Sequence, residues 1–367
     1  MTLIDALLQQ AVQTKSPISG TFELTARCNF SCKMCYIHNL ACDRELRDKE
    51  LSTEAWLSII KQARDAGTLI LLLTGGEPLL REDFGEIYRA CVENGLLVTV
   101  NSNGSLISEE IFRLFREHPP LRINISLYGM RREVYESLCG NGDAFSRVLD
   151  NLRRLRSMNI PVQLNFTASP YNQCELLEAQ RFANEIGAVL HYTSYLFPPT
   201  RTTLPCEQAF RRFSPEEAAE AAIEYLRLSH GPEGFANFCR AKATEPPARS
   251  DDCGEIYEGV RCRAGRASYW ITYEGNMLPC GMLSGLPVSV PAMGLARAWH
   301  ETHETFAAVK APAGCLSCPD YERCEVCPAI CYCEKNDLSQ VPEYICQKNT
   351  HYRKRLREIA EELEATP

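Results

Sequence analysis

The stretch Arg27-Cys28-Asn29-Phe30-Ser31-Cys32-Lys33-Met34-Cys35-Tyr36 carries three cysteines, and it directly follows a β-rich run at Thr21–Ala26. A structural zinc ion takes four protein ligands, whereas this loop offers three. Three thiolates on one tight loop can hold an iron–sulfur cubane and leave one iron open to a small molecule. Cys42 would be the fourth ligand in a zinc alternative, because the C-x2-C spacing of Cys32 and Cys35 also suits zinc. The loop therefore predicts a metal centre at the end of the first strand.

Five further β-rich runs follow this loop, and helical stretches separate most of them. They are Thr68–Thr74, Leu96–Asn101, Arg122–Leu127, Pro161–Ala168 and Ala188–Phe197. Strands that alternate with helices predict βαβ units and a parallel sheet. Six such units are fewer than the eight of a closed barrel, so we expect an α/β fold with an open, partial (β/α)6 TIM-like barrel. Chemistry should lie at the carboxyl ends of its strands.

The chain has 367 residues and 19 cysteines. It is too long for a small secreted disulfide scaffold, and an odd number of cysteines cannot all be paired. Its first residues lack the basic start and apolar core of a secretory signal. The longest apolar run, Leu69–Leu73, falls far short of the ~18 residues of a membrane span. We therefore expect a cytoplasmic protein with reduced thiols and no membrane association.

The formal net charge is −8, from 47 acidic residues against 39 Lys and Arg. Proteins that bind nucleic acid usually present a basic surface. This acidic balance therefore predicts that nucleic acid is not a partner.

The alternation of strands and helices ends near Arg240. A linker-like stretch at 244–252 follows and precedes a cysteine-rich region. Ten of the cysteines lie from Cys253 to Cys346, and a β-hairpin is predicted around Ser268–Tyr273 and Met277–Cys280. We expect four parts: an N-terminal helix at 1–20, the barrel at 21–240, a small cysteine-rich domain with the hairpin at 241–346, and a C-terminal helix at 347–367.

The second strand ends in Thr74-Gly75-Gly76-Glu77-Pro78. Two glycines allow the backbone to approach a ligand closely, and the glutamate carboxylate can accept from an ammonium group. Alone, this motif would be an ordinary turn before a helix. At the same barrel mouth as the cysteine loop, a binding role is favoured.

In order and spacing, these two motifs resemble the leading signatures of the radical SAM superfamily, over about residues 20–230. The resemblance implies a [4Fe–4S] cluster on Cys28, Cys32 and Cys35, whose fourth iron chelates S-adenosylmethionine. It also implies cofactor-binding residues, namely Gly75, Gly76, Glu77 and Pro78 of the motif for the methionine amino group, Tyr36 near the adenine, Ser126 near the ribose, and Asn165 facing the cofactor. Ordinary buried side chains remain the alternative for Tyr36, Ser126 and Asn165. His38 and His191 are expected to be structural.

The later cysteines resemble the SPASM extension of radical SAM enzymes, which holds two auxiliary [4Fe–4S] clusters. By position, one cluster would use Cys262, Cys280 and either Cys327 or Cys331, with Cys253 as a further candidate. The other would use Cys315, Cys318, Cys324 and Cys346. The usual tail is C-x2-C-x5-C-x3-C, and the extra cysteine here leaves the choice between Cys327 and Cys331 open. A pair of zinc knuckles is the alternative for this region.

The resemblance implies that S-adenosylmethionine is cleaved reductively and that hydrogen is abstracted from a substrate. A flavodoxin or ferredoxin is the implied electron donor. A peptide or protein that becomes crosslinked or oxidised is the favoured substrate. A small molecule, such as a tetrapyrrole or cofactor precursor, is the first alternative, and a non-catalytic metal-cluster scaffold is the second.

Overall fold

The computed structural model of the chain describes residues 3–37, 41–201, 211–244, 260 and 262–365. Three features of the sequence analysis lie outside these residues: Cys253, His38 and the linker residues 245–252. Among the described residues, no helix combines the length and the apolar character needed to cross a lipid bilayer.

Six parallel strands form the main sheet, as the alternating sequence pattern predicts. They are β1 (Ser19–Glu23), β2 (Ile70–Thr74), β3 (Leu97–Ser102), β4 (Arg122–Ser126), β5 (Val162–Thr167) and β6 (Val189–Thr193). Their spatial order follows the chain from β1 to β6, and β6 lies at one end of the sheet. The predicted open (β/α)6 barrel is confirmed.

Fourteen helices are described. They are α1 (Leu3–Thr14), α2 (Arg44–Asp48), α3 (Thr53–Asp65), α4 (Phe84–Glu93), α5 (Glu109–Glu117), α6 (Arg132–Cys139), α7 (Ala144–Ser157), α8 (Leu176–Glu185), α9 (Pro215–Thr244), α10 (Val290–Met293), α11 (Leu295–Ala307), α12 (Ala313–Leu316), α13 (Pro328–Lys335) and α14 (Glu343–Ala365). Ser52 and Ser108 cap α3 and α5 by accepting from backbone N–H groups. Helices alternate with the strands from β2 to β6, which produces the βαβ order.

The strand residues alternate between an apolar outer face and a polar inner face, because successive side chains point to opposite sides. On β4, Ile123 and Ile125 are buried against the helices. On the inner face, Asn124 Nδ2 donates to Asn101 Oδ1 at 2.7 Å. The barrel interior is therefore lined by polar side chains near the site, while the outer face forms the core.

The predicted hairpin extends the barrel sheet. It consists of β7 (Ser268–Ile271) and β8 (Asn276–Leu278), followed by β9 (Val288–Ser289). β7 pairs in parallel with β1, which gives a nine-stranded sheet. The reason lies in the outer face of β7, where Tyr269 is buried and its hydroxyl lies 2.9 Å from Thr68 Oγ1. The cysteine-rich region is thus joined directly to the first barrel strand.

The final helix α14 begins at Glu343, earlier than the predicted start at residue 347. It packs on α9, where Ile223 and Phe235 meet Leu356 and Ile359 in a separate apolar cluster. Its earlier start places Cys346 in the first turn of the helix.

Candidate active site

A cavity of about 400 Å³ lies at the carboxyl ends of the strands. Seven of the residues singled out from the sequence line it: Cys28, Cys32, Cys35, Tyr36, Gly76, Ser126 and Asn165. Its remaining walls are mostly apolar and aromatic, with Met34, Tyr195 and Phe197 among them. The fold therefore brings three parts of the chain to one concave site. They are the cysteine loop (residues 27–36), the glycine turn (residues 74–78) and the polar strand residues Ser126 and Asn165.

The cysteine loop is fixed from outside by the end of α6. The backbone N–H groups of Ser31 and Lys33 donate to the carbonyls of Cys139 and Leu138, both at 2.9 Å. These carbonyls are among those that a helix leaves unsatisfied at its C-terminus. The loop thereby satisfies the helix end, and the helix end holds the loop beside the cavity.

Two thiols of this loop, those of Cys28 and Cys32, have a raised pKa when no metal is bound. Burial, and then the Glu77 carboxylate, raise the pKa of Cys28. A hydrogen bond with the Cys139 thiol, followed by burial, raises the pKa of Cys32 well above its usual range. Metal binding must deprotonate such thiols, because thiolates are the ligands. Protons should therefore be released when a metal centre assembles here.

Gly75 and Gly76 are needed because two backbone segments touch at this point. Gly76 N–H donates to Thr25 O at 2.8 Å, so the turn runs alongside the chain that leads into the cysteine loop. A Cβ on Gly75 would lie 2.5 Å from Thr25 O, and one on Gly76 would lie 2.4 Å from Arg27 O. The close approach in this structure is therefore to the protein backbone, and Gly76 also lines the cavity.

The carboxylate of Glu77 is fully buried and is bound by protein groups. It accepts from Ser102 Oγ at 2.9 Å, from Asn103 N at 2.7 Å and from Leu79 N at 3.1 Å. Burial raises the pKa of Glu77 to about 7, against the lowering effect of these hydrogen bonds. Glu77 thus joins the ends of β2 and β3, and a contact with a methionine amino group stays a prediction. Pro78 begins the short 3-10 helix Pro78–Leu80 behind it.

Ser126, Asn165 and His191 form one row across three neighbouring strands. In the register of the sheet, Ser126 is the partner of Asn165, and Asn165 is the partner of His191. All three line the cavity, and His191 is exposed within it. A polar row of this kind can contact a ligand along the whole width of the cavity.

Tyr36 follows the last cysteine of the loop and forms part of the cavity wall. Its carbonyl accepts from the N–H groups of Thr200 and Arg201 at 3.2 and 3.3 Å. Burial raises the pKa of its hydroxyl. The ring is therefore a neutral aromatic surface at the edge of the cavity.

Cys262, Cys280 and Cys327 pack against the same small apolar cluster in the cysteine-rich region. Burial raises the pKa of Cys327 to about 11, and the Cys262 and Cys280 thiols raise it further. The Cys333 thiol lies beside them and donates to Met282 O at 3.6 Å. Cys327, which the sequence could not separate from Cys331, therefore sits with the first predicted set.

Cys315, Cys318, Cys324 and Cys346 form a second group. Burial raises the pKa of Cys315 to about 11, with further upward effects from the other three thiols. Asn349 Nδ2 donates to Cys324 Sγ at 3.1 Å from within α14. Burial also raises the pKa of Cys331 to about 12, with further upward effects from Cys315 of this group and Cys327 of the first. Cys331 thus lies between the two groups.

Two residues at the site were not expected from the sequence. His191 lies in the cavity, although it was interpreted as structural, and Cys139 contacts Cys32. His191 and Thr193 lie two residues apart on β6 and therefore share a face of the strand, and His191 pairs with Asn165. This alternation could have predicted that His191 faces the barrel interior. Nothing local in the sequence marks Cys139, which reaches the loop only through the packing of α6.

The residues present fit a cubane cluster. Three thiols surround one side of the cavity, and the described groups beside them offer no fourth thiolate that faces it. Among the residues that the structure describes, no three His, Cys, Asp or Glu side chains close around a single metal ion. The fit therefore rests on three cysteine thiols at one wall of the cavity, which is the donor set that a cubane with one open iron would need.

Comparison with known proteins finds a family model that matches part of this chain and relatives that match most of it. Residues 22–183 match the model of the radical SAM superfamily. An AdoMet-dependent heme synthase from Methanosarcina barkeri is 28% identical over 344 residues, which cover 90% of this chain and 97% of the relative. An AdoMet-dependent heme synthase from Nitratidesulfovibrio vulgaris is 25% identical over 270 residues, or 71% of this chain and 73% of the relative.

Two solved structures share the fold. Streptococcus suis SuiB bound to precursor peptide SuiA superimposes with a TM-score of 0.70 at 18% identity, covering 93% of this chain and 78% of SuiB. Native anSMEcpe with bound AdoMet gives a TM-score of 0.68 at 16% identity, covering 95% of this chain and all of anSMEcpe. At these identities the likeness shows the fold alone.

Proposed function

We propose that this chain, which carries a radical SAM superfamily domain at residues 22–183, is an enzyme that cleaves S-adenosylmethionine reductively and abstracts hydrogen from a bound substrate. The observation that supports this most strongly is the meeting of Cys28, Cys32 and Cys35 with Gly76 and the Ser126 row in one cavity. A [4Fe–4S] cluster held by the three thiolates would supply the electron for that cleavage.

The protein's own residues would position S-adenosylmethionine. Cys28, Cys32 and Cys35 would hold a cubane as three ligands, which would leave one iron for S-adenosylmethionine. Tyr36 offers its ring to the adenine, and Ser126 and Asn165 offer hydrogen-bonding groups to the ribose and its neighbours. Apolar walls such as Met34 and Phe197 limit the access of water to a reactive intermediate.

The cysteine-rich region is proposed to be a SPASM-type extension with two auxiliary [4Fe–4S] clusters. The grouping of thiols supports Cys262, Cys280 and Cys327 for the first cluster. Cys315, Cys318, Cys324 and Cys346 would hold the second. Cys253 remains a candidate for the first cluster and lies outside the described residues. A low-potential flavodoxin or ferredoxin would supply electrons.

A small molecule of the tetrapyrrole class is the substrate that we favour. Support comes from the AdoMet-dependent heme synthase of Methanosarcina barkeri, which aligns with nearly the full length of this chain. The apolar and aromatic walls of the cavity also suit the flat, largely apolar body of a tetrapyrrole. This reverses the order of substrates expected from the sequence, where a peptide stood first.

A peptide substrate is the second candidate. It is supported by the fold shared with SuiB bound to its precursor peptide. β6 is the last strand at one end of the described sheet and contributes His191 and Thr193 to the cavity, so an extended segment could add to its edge beside the cavity. β6 would then be the side from which such a segment enters.

The test is anaerobic incubation of reconstituted protein with dithionite and S-adenosylmethionine, with 5′-deoxyadenosine measured by chromatography. We expect 5′-deoxyadenosine from the wild type and none from a variant with Cys28, Cys32 and Cys35 all replaced by Ala. Cys91→Ala, at a buried helix position remote from the cavity, is the matched control and should retain cleavage. Full iron content without 5′-deoxyadenosine would instead indicate a non-catalytic scaffold.

Substrate class is then read by mass spectrometry with two sets of additions. Carboxylated porphyrins and their iron complexes form one set, and candidate precursor peptides form the other. Conversion of a tetrapyrrole with stoichiometric 5′-deoxyadenosine supports the first candidate. A mass change in a peptide alone would replace it with the second.

A further inference from the structure

A buried ion pair joins the carboxyl end of β1 to the segment that follows β6. Arg201 donates from both terminal nitrogens to the Glu23 carboxylate, at 3.1 and 2.9 Å. Glu23 is fully buried, and the Arg201 side chain is 14% exposed. A pair with two parallel hydrogen bonds fixes the relative orientation of the guanidinium and the carboxylate, in addition to neutralising their charges. β1 and β6 are not neighbours in the sheet, so the pair joins two parts of the chain that no strand pairing connects.

On one side, this pair holds the loop that carries Cys35. The backbone of Arg201 donates to the carbonyl of Tyr36, the residue after Cys35, at 3.3 Å. The guanidinium also lies over the Tyr36 ring, 6.0 Å from its centroid. Displacement of Arg201 would therefore move the last residue of the cysteine loop directly.

On the other side, the pair holds the turn that carries Cys280. Trp270 Nε1 donates to Glu23 Oε2 at 2.7 Å. Gly281, the residue after Cys280, packs flat against the Trp270 indole, where a Cβ would come within 2.8 Å of the ring. Glycine is required at this position because the backbone and the ring are in contact. One continuous series of contacts thus runs from Tyr36 through Arg201, Glu23 and Trp270 to Gly281.

We propose that Glu23 and Arg201 are positioning residues that act on both metal centres, holding the loops of Cys35 and Cys280 and adjusting the reduction potentials of the clusters there by their opposite charges. This rests on the proposed function, because it requires clusters on both cysteine sets. The reduction potential of an iron–sulfur cluster depends on nearby charge and hydrogen bonding. A charge is only weakly screened in a buried site, so removal of either partner leaves an uncompensated charge there.

The sign of the shift provides the test. Glu23→Gln leaves the positive guanidinium unpaired, which favours the reduced and more negative cluster, so both midpoint potentials should rise. Arg201→Met leaves the carboxylate unpaired, so both potentials should fall. The double variant Glu23→Gln/Arg201→Met should lie nearer the wild type than either single variant. Potentials are measured by redox titration of anaerobically reconstituted protein, followed by electron paramagnetic resonance.

Two further variants distinguish an effect of charge on the reduction potentials from an effect of disturbed packing. Arg201→Lys keeps the charge but loses the two-point pairing, so its potentials should stay closer to the wild type than those of Arg201→Met. Arg154→Met breaks the exposed ion pair with Glu109 on the outer helices, and it should shift neither potential. If Glu23→Gln assembles too little iron for titration, the comparison of Arg201→Met with Arg201→Lys carries the test.

Several outcomes would overturn the proposal. Shifts of the same sign in Glu23→Gln and Arg201→Met would indicate disruption of packing, and a shift at one cluster alone would remove the link between the two loops. Equal shifts in Arg201→Lys and Arg201→Met would exclude a charge effect. Absence of an auxiliary cluster signal from the wild type would instead refute the proposed function on which this inference rests.

Discussion

The carboxylate of Glu77 accepts the backbone N–H of Asn103 at 2.7 Å and so ties the glycine turn after β2 to the turn after β3. Asn103 in turn donates through Nδ2 to Asn29 Oδ1 at 2.8 Å, inside the cysteine loop. Three successive strand ends are therefore linked through polar side chains. The arrangement of the cysteine loop depends on this network as well as on its own sequence.

The raised pKa of Glu77 predicts a pH dependence of stability in the iron-free protein. The folded state binds the proton up to a pKa of about 7, whereas an unfolded glutamate releases it near 4.5. Between these values the folded state holds more protons, so the free energy of unfolding should fall as pH rises and then level off above pH 7. The contribution is on the order of 3 kcal/mol.

This prediction is measured by urea unfolding of iron-free wild type and Glu77→Gln at several pH values from 4.5 to 8. The decline should be shallower in Glu77→Gln, because glutamine does not titrate. Glu109→Gln, which replaces an exposed carboxylate, should keep the slope of the wild type. An unchanged slope in Glu77→Gln would show that another group is responsible.

Gly76→Ala should disturb the cysteine loop through a backbone collision. The added Cβ would lie 2.4 Å from Arg27 O and 2.6 Å from Ala26 O, and backbone atoms cannot rotate away. Overpacking of this kind costs about 1–3 kcal/mol. Displacement of Arg27 also moves Cys28, so we expect lower iron content as well as a lower unfolding midpoint.

Gly85→Ala is the matched control for this change. Gly85 lies within α4, and a Cβ there meets its nearest atom at 3.9 Å. Alanine should be neutral or stabilise the helix by about 0.5–1 kcal/mol. Equal iron binding by Gly76→Ala and Gly85→Ala would show that the loop does not depend on the close approach of the glycine turn.

The barrel and the three loop cysteines were predictable because both are recorded in short-range patterns. Alternation within each strand run and the spacing of Cys28, Cys32 and Cys35 need no knowledge of distant contacts. The extension of the barrel sheet by β7 was not predictable in this way. It depends on contacts such as Tyr269 with Thr68, which lie 201 positions apart in the chain.

The roles of individual site residues were harder to predict for the same reason. The sequence predicts that the Glu77 carboxylate contacts a ligand. It does not predict that Ser102 and Asn103, at the end of the next strand, donate hydrogen bonds to that carboxylate. His191 has no motif around it in the sequence. Its place in the cavity follows from its pairing with Asn165 in the neighbouring strand. The types of side chain therefore predicted which strand ends form the site. The register between strands determined which of those side chains face the cavity.

Cys327 and Cys331 should differ in their effect on iron content. Cys327 packs on the same apolar cluster as Cys262 and Cys280, whereas Cys331 is not part of that cluster and is influenced by thiols of both groups, Cys315 and Cys327. Cys327→Ala should therefore lower the iron content by one cubane, about four irons, or leave a smaller cluster with an altered spectrum. Cys331→Ala should retain the iron content of the wild type.

Iron and sulfide assays after anaerobic reconstitution measure this difference, and Mössbauer spectroscopy identifies the cluster that is lost. Cys91→Ala controls for the removal of a buried thiol outside the cysteine-rich region. Loss of a cluster from Cys331→Ala, with full iron in Cys327→Ala, would reverse the assignment.

His191 should contribute to substrate binding and leave the cleavage of S-adenosylmethionine intact. Its ring lies at the β6 end of the polar row, two strands from Ser126. Among the described residues that line the cavity, no Lys or Arg offers another cationic group to a carboxylated ligand. Ferric heme is the probe, with the dissociation constant taken from its absorbance spectrum. His191→Ala should weaken heme binding about tenfold, equivalent to roughly 1.4 kcal/mol. His118→Ala, at the C-terminal end of α5, should bind heme as the wild type does. A variant His191→Ala that binds heme normally but no longer forms 5′-deoxyadenosine would place the imidazole with S-adenosylmethionine instead.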